Sequence, residues 1–251
     1  MIHSILAAFG QWKGNLKLSS HKVTSLCGLL GVAVLSGGCI VTAIPYHGQK
    51  GEPYSLLNHF ISEMGYVGVS RLADVFNGCQ MIGGLILAMF MFRLGQHLRT
   101  RWSYAAAALG VVSGVSGGFA GCIPMNYLVP HLTAAYGFFF GGLITVGLFS
   151  FIIGGDKGNK LPKWLVIPGL FAFVSFAAFL ALPVITGKNY MAMFFSPRFV
   201  RPDIWAIAVL EWLVFLATMA WIVLVSACLG ACRSNQTERG EVADSLLASR
   251  S

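Results

Sequence analysis

Six apolar runs of about 20 residues constrain this chain more than any other feature of its sequence. A run of roughly 20 apolar residues is long enough to cross the hydrocarbon core of a bilayer as an α-helix. Only 10% of the residues are charged, against roughly 25% in soluble domains. The sequence therefore predicts an all-α, polytopic membrane helix bundle. The runs lie at about residues 24–44, 73–95, 103–122, 132–154, 164–186 and 205–231.

Three segments follow from this pattern. Residues 23–231 are predicted to form one six-helix transmembrane domain. Residues 1–22 place apolar side chains at helical spacing beside lysines, which is typical of an amphipathic segment lying on the membrane surface. Residues 232–251 are polar without an apolar face, and they are predicted to form a disordered cytoplasmic tail.

The distribution of basic residues predicts the orientation of the bundle. Twelve of the 17 Lys and Arg residues lie in the termini, in the connections after the second and fourth runs, or at the end of the second run. Cytoplasmic loops of membrane proteins carry the excess of basic residues. Both termini are therefore predicted to be cytoplasmic, and the net charge of +8 is explained by topology without nucleic acid as a partner.

Glycines recur at four-residue spacing in the third and fourth runs, where they allow helices to approach closely. We favour packing of these helices within one chain, and the alternative is a homo-oligomer that uses the Gly-xxx-Gly faces. The glycines concerned are Gly110, Gly114, Gly118, Gly117, Gly121, Gly137 and Gly141.

The first outward loop contains the clearest candidate residues for chemistry. If residues 55–63 form a helix, Ser55, His59 and Glu63 share one face, and the opposite side is apolar. A His and a Glu one turn apart can share a proton, hold a metal or bind a polar headgroup. A solvated loop helix without a ligand is the alternative. Asp74 and Asn77 follow at the outer start of the second helix, where ionisable groups are costly.

The other two outward loops add further polar residues. The second has two prolines, Asn126 and His131, and His131 is expected to lie near the other loops if the bundle brings them together. The third interleaves apolar residues with Arg198 and Arg201, a pattern that fits either an anionic lipid headgroup or an interfacial belt without a specific ligand. Glu211 lies inside the last helix, where it should pair; the candidate partners are Arg71, Arg198 and Arg201.

Signatures of other functions are missing from the sequence. It has no phosphate-binding glycine loop, no HExxH, no GxSxG and no CxxC pair. No cofactor or metal is therefore predicted, although His59, Glu63 and His131 form an alternative set of metal ligands. The spacing of Ser55 and His59 resembles that of ceramidase-like membrane hydrolases, but their C-terminal HxxxH is absent, since no histidine follows His131.

Two sequence blocks resemble a known membrane family. The first is Phe60-Ile-Ser-Glu-Met-Gly65 with Asp74-Val-Phe-Asn77, and the second is Gly121-Cys-Ile-Pro124-Met-Asn126 with His131. Together they resemble domain of unknown function 998, a six-span family of bacteria and archaea, and the first loop is more distantly similar to DRAM and Sfk-type six-span proteins. The resemblance implies an integral protein of the bacterial inner membrane and roles connected with membrane lipids. Family members often have an acid where this chain has Asn126.

These observations favour a non-enzymatic protein that recognises a lipid headgroup or a membrane partner at its extracytoplasmic face. The first alternative is a membrane-embedded lipid-modifying enzyme that uses His59, Glu63 and His131 as base, orienter or metal ligands. The second alternative is a small-solute transporter, which needs more polar residues along a path through the membrane.

Overall fold

The computed structural model describes residues 20–158 and 160–231. The predicted amphipathic segment lies almost entirely outside these residues, and so does the predicted disordered tail. Both stay predictions.

Within the described residues, six helices are long and apolar enough to cross a membrane, which confirms the predicted number of spans. Five of them are α1, α2, α3, α4 and α5, and the last is α7, because a short helix α6 lies in the loop between α5 and α7. The bounds are Ser20–Ala43 for α1, Ala73–Leu98 for α2, Arg101–Cys122 for α3, Leu128–Gly155 for α4, Val166–Thr186 for α5, Tyr190–Phe194 for α6 and Ala206–Ala231 for α7.

The spanning helices form a closed ring. Each packs against the next along the chain, and α7 returns to pack against α1. Because consecutive helices run in opposite directions, the connections 44–72, 123–127 and 187–205 lie at one end of the ring, which we call the long-loop end. Pro183 does not interrupt α5, which continues to Thr186.

Glycines let α2 and α3 approach until their backbones touch. A Cβ atom added at Gly84 would lie 2.6 Å from the backbone nitrogen of Gly118 and 2.7 Å from the carbonyl oxygen of Gly114. A Cβ atom at Gly121 would lie 2.5 Å from the carbonyl oxygen of Asn77. The prediction that the glycine faces pack within one chain is confirmed for these positions.

The predicted helix over residues 55–63 is wrong. The chain makes a single turn at Ser55, where His59 N–H donates to the Ser55 carbonyl, and it is extended at Phe60 (φ −67°, ψ 148°) before a 3-10 helix over Ile61–Gly65. The N–H groups of Phe60 and Ile61 donate to the carboxylates of Glu63 and Glu211 instead of to carbonyls one turn back. Side-chain acceptors therefore replace the helical hydrogen bonds at the point where the helix breaks.

Candidate functional site

An ion pair joins the first loop of the long-loop end (44–72) to the third (187–205). The guanidinium of Arg201 donates to both carboxylate oxygens of Glu63, over 3.1 Å and 2.7 Å, and also to the carbonyl of Asn58. Glu63 is almost fully buried and additionally accepts from Phe60 N–H at 2.8 Å. Burial raises the pKa of the Glu63 carboxyl above its ordinary value, while the bonds and the charge of Arg201 lower it. The two-pronged geometry is that of an ionised carboxylate held by a guanidinium.

Further contacts tighten this junction, which we call the loop clasp (Asn58, Glu63 and Arg201). The Asn58 amide donates to the carbonyl of Pro202 at 2.9 Å, and Trp205 N–H donates to the carbonyl of Leu57 at 2.8 Å. The Tyr46 hydroxyl contacts Glu63 at 3.5 Å. Burial and the nearby charge of Glu63 raise the pKa of Tyr46, so its hydroxyl remains a donor. The first and third loops therefore form one structure.

His59 is buried beside the loop clasp and forms no hydrogen bond or ion pair with Glu63 in the described structure. Its Nδ1 lies 2.8 Å from Asn58 Oδ1 and accepts from Ser55 N–H at 3.3 Å. Its Nε2 has no hydrogen-bond partner among residues 20–158 and 160–231 and lies 3.9 Å from Glu52 Oε1. Burial, and then the positive charge of Arg201, lower the pKa of His59 to about 4. The imidazole is therefore neutral at physiological pH.

Acid should weaken the fold through His59. Between its ordinary pKa near 6.5 and about 4, the unfolded chain binds a proton that the folded chain excludes, so the free energy of unfolding decreases as the pH falls through this window. We expect the thermal midpoint in detergent to fall less between pH 7.5 and pH 5 in His59→Gln than in the unmodified protein. His47→Gln, at an exposed position, is the control and should fall as the unmodified protein does. Equal decreases in all three proteins would contradict the expectation.

Glu211 lies in α7 without the basic partner predicted for it. One carboxylate oxygen accepts from Ile61 N–H at 2.7 Å, and this is its one hydrogen bond within the described residues. None of the arginines proposed as partners forms an ion pair with it: Arg201 binds Glu63, and Arg71 and Arg198 are exposed. The prediction of an Arg partner for Glu211 is therefore wrong. The half-buried carboxylate borders two cavities instead.

The first cavity lies inside the ring of helices and has a volume of about 120 Å³. Its upper part is bordered by Ser62, Asn77, His131 and Glu211, and its deeper wall is mostly apolar. The hydroxyl of Thr145 in that wall is buried and has no partner among the described residues. Since an unsatisfied polar group is costly in an apolar environment, this chamber suits a few water molecules.

The second cavity is a groove of about 730 Å³ between α4 and α5, which we call the lateral groove. Its walls are apolar and aromatic, and the exposed side chains of Tyr136, Phe140 and Val184 border it, so it opens onto the outside of the bundle. Ser62, His131 and Glu211 border both cavities. His131 Nδ1 donates to the carbonyl of Ile123 at 2.7 Å, which leaves Nε2 as the basic nitrogen of the neutral ring.

A basic rim borders the lateral groove at the long-loop end. The exposed Lys188 lines the groove and also a shallow pocket of about 530 Å³ that contains Arg198, Tyr190 and Trp205. We call Lys188 and Arg198 the basic rim. Arg201, in the same loop, is paired with Glu63 and does not line this pocket. The positive charges that line the pocket are therefore those of Lys188 and Arg198.

The remaining predicted site residues are dispersed. Ser55 closes the turn before His59, since its hydroxyl accepts from Leu57 N–H at 3.3 Å. Asn126 bonds both backbone groups of Val67 at 3.0 Å and links the first two loops. Asn77 donates to the carbonyl of Gly65 at 3.1 Å, whereas Asp74 is exposed.

The structure therefore divides the predicted site into two parts. His59 and Glu63 belong to the loop clasp and its surroundings, and His131 and Glu211 belong to the cavities. Within the described residues, no group of three His, Cys, Asp or Glu side chains is placed to hold a metal, so His59, Glu63 and His131 do not form the alternative ligand set. Sequence reasoning did not single out Ser62 as a site residue, although Ser62 belongs to the block Phe60-Ile-Ser-Glu-Met-Gly65, because only the fold places its side chain at the two cavities.

Comparison with known proteins identifies one related family. The model of the family described as Protein of unknown function (DUF998) matches residues 34–227, which is most of the chain. A search of the curated proteins and a search of the solved structures each returned no match.

Proposed function

The chain belongs to the DUF998 family of proteins of unknown function, and we propose that it binds a membrane lipid, without catalysis, at its extracytoplasmic face. The observation that carries this proposal is the lateral groove, an apolar channel with Ser62, His131 and Glu211 on its inner wall and Lys188 at its rim. Ligand sites are typically mostly apolar cavities of roughly 300–1,000 Å³ with a few placed polar groups. The groove, at about 730 Å³, has that size and character.

The direction of the groove supports a lipid over a soluble ligand. Along α4 its lining extends from Leu128 to Phe140, which corresponds to about 18 Å at 1.5 Å per residue. The groove therefore runs along the helices, parallel to the acyl chains of a bilayer that surrounds the bundle. An acyl chain in the groove would place its polar end beside the basic rim, where a positive charge attracts an anionic headgroup.

The extracytoplasmic placement rests on the charge distribution. Within the described helices and connections, the end opposite the long loops carries Lys22, Arg93, Arg99, Arg101, Lys157, Lys160 and Lys163. The long-loop end carries fewer basic residues, and Glu63 neutralises one of them. The positive-inside rule thus supports cytoplasmic termini and a lipid site in the outer leaflet. The family resemblance supports a bacterial inner membrane.

Filling the groove should displace the lipid. Ala135 borders both cavities, so the indole of Ala135→Trp would occupy the space for an acyl chain. We expect the lipid that co-purifies with the protein in mild detergent to decrease about tenfold, a loss of about 1.4 kcal/mol in binding free energy. Native mass spectrometry of the purified protein measures the bound fraction.

Val129→Trp is the matched control, because Val129 is 76% exposed on the same helix and does not line the groove. It should keep the lipid of the unmodified protein. Equal lipid content in Ala135→Trp and Val129→Trp, or no bound lipid in the unmodified protein, would overturn the proposal.

The geometry favours recognition of a lipid over its chemical modification. Glu63 is the proposed base or orienter of the enzymatic alternative. Both of its carboxylate oxygens accept hydrogen bonds from Arg201, and one also accepts from Phe60 N–H. His59 faces Asn58 and Glu52 instead of Glu63. A partner protein remains the alternative to a lipid, and its site would be the exposed surface of the long loops. Self-association would need a face other than the buried contact of α2 with α3.

A further inference from the structure

Several polar side chains of the lateral groove have a hydrogen-bond donor to offer to a ligand. We infer that the groove recognises the ester linkage of an acyl phospholipid, whose carbonyl oxygen accepts hydrogen bonds from Glu211 and Ser62 while its phosphate lies at the basic rim. This inference rests on the proposed function and deepens it, since it names the chemical group by which the same groove selects its lipid.

Glu211 is a donor because its carboxyl group is protonated. A negative charge inside a membrane bundle is costly unless a basic partner neutralises it. Within the described residues no basic side chain pairs with Glu211, and the charged group that acts on it is Glu63, which would carry a charge of the same sign. The bundle therefore favours the neutral form, whose hydroxyl needs an acceptor.

The acceptor for this hydroxyl comes from outside the described chain. One oxygen of Glu211 accepts from Ile61 N–H at 2.7 Å, so the hydroxyl lies on the other oxygen, which has no hydrogen-bond partner among the described residues. His131 donates its Nδ1 hydrogen to the carbonyl of Ile123, and no hydrogen bond joins it to Glu211. Since Glu211 borders the lateral groove, its proton is available to a ligand there.

Ser62 supplies a second donor in the same part of the groove. It follows Ile61, the residue that binds Glu211, and it borders both cavities together with Glu211. The partner of its hydroxyl among the described residues is the sulfur of Met125 at 3.8 Å, and a thioether sulfur is a weak acceptor. A carbonyl oxygen of a ligand is a stronger acceptor, so the hydroxyl can turn towards it.

The mouth of the groove also offers donors. The side-chain oxygen of Asn189 accepts from Ala192 N–H at 2.9 Å, which leaves the amide N–H groups of Asn189 for a ligand. Lys188 and Arg198 are cationic, and no acidic residue of the described chain lines the pocket that they share. Phosphate oxygens form strong hydrogen bonds with cationic donors, so the mouth suits the phosphate of a phospholipid.

The order of these donors follows the order of acceptors along a phospholipid. Lys188 lies beyond the end of α5 at Thr186, whereas Glu211 is five residues into α7, about 8 Å along the helix from its start. A lipid with its phosphate at Lys188 therefore places its glycerol esters at the depth of Glu211 and Ser62. An ester has a carbonyl oxygen at this position, and an ether-linked chain has a methylene group instead. The donors consequently distinguish an ester from an ether.

Competition between an ester lipid and an ether lipid tests the inference. The probes are dioleoyl-phosphatidylglycerol and its diether analogue dioleyl-phosphatidylglycerol, which share the headgroup and the chain length and differ at the carbonyls. Each is added to the delipidated protein in detergent, and native mass spectrometry gives the apparent dissociation constants. We expect the ester lipid to bind about tenfold more tightly, a difference of about 1.4 kcal/mol, because the ether leaves the donors of the groove without an acceptor.

Two variants of Glu211 identify the donor. In Glu211→Gln the amide oxygen can accept from Ile61 N–H while the amide nitrogen donates, so the ratio of the two dissociation constants should stay within about twofold of that of the unmodified protein. Glu211→Met has no donor and should lower the ratio by about threefold or more. The ratio compares two lipids on the same folded protein and is independent of any loss of stability. Asp74→Asn, an exposed position at the same end, should keep the full preference.

The outcomes distinguish the inference from the proposed function. If the unmodified protein binds the diether as tightly as the diester, and Ala135→Trp weakens the binding of both, the inference fails and the proposed function stands. A preference well above that of the unmodified protein in Glu211→Gln, or an unchanged preference in Glu211→Met, also overturns the inference. If neither lipid binds more tightly to the unmodified protein than to Ala135→Trp, both fail.

Discussion

Arg201→Ala should destabilise the folded protein by about 3–5 kcal/mol, because it leaves the buried carboxylate of Glu63 without its cationic partner. Arg201 supplies two hydrogen bonds to Glu63 and one to the carbonyl of Asn58, and its guanidinium also lies 5.6 Å from the ring centre of Phe194 in α6. Its removal therefore separates the loop 44–72 from the loop 187–205. The thermal midpoint and the yield of monodisperse protein in detergent report the loss.

Three further variants identify the cause of that loss. Arg71→Ala removes an exposed arginine from the same end and should change stability by less than about 0.5 kcal/mol. Arg201→Lys keeps the charge but not the two-pronged geometry, so its effect should be intermediate. The double variant Glu63→Ala/Arg201→Ala should lose less than the sum of the single variants, because no charge is left buried alone. Additive losses would contradict the ion-pair explanation.

Gly84→Ala should destabilise the bundle by about 3 kcal/mol, the upper end of the range for overpacked cores. The added methyl group would meet backbone atoms of Gly118 and Gly114, which cannot rotate away as a flexible side chain can. The axes of α2 and α3 would have to move apart where the helices cross. The walls of the first cavity, which include Gly84 and Gly114, would move with them. Thermal unfolding in detergent measures the effect.

Gly78→Ala is the matched control for this change. Gly78 lies on the same helix, and a Cβ atom placed there meets no heavy atom within 4 Å. Alanine is also favoured over glycine in a helix by about 1 kcal/mol, so Gly78→Ala should be neutral or stabilising. A similar loss in both variants would show that α2 tolerates no added methyl group, and that the close contact with α3 is not the reason.

The loops show where sequence reasoning about the site fails. Helical periodicity over residues 55–63 placed Ser55, His59 and Glu63 on one face, yet the N–H groups of Phe60 and Ile61 are bonded to carboxylates, and the helix ends there. One of those carboxylates belongs to Glu211, 150 residues away. The pattern of neighbouring residues carries no information about a hydrogen-bond acceptor that is so distant in the sequence. For the same reason, the pairing of Glu63 with Arg201 was missed.

The six spans were determined by the sequence itself, because the hydrophobic transfer of about 20 apolar residues and the internal hydrogen bonds of a helix are local properties. The prediction that the glycine faces pack within the chain was also correct, since glycines four residues apart lie on one face of a helix and let a neighbouring helix approach closely. Only the tertiary structure decided which polar groups meet. The ring of helices places Ser62, His131 and Glu211 around shared cavities and assigns Arg201 to Glu63, because charges in a membrane bundle are paired by distance in space, not along the chain.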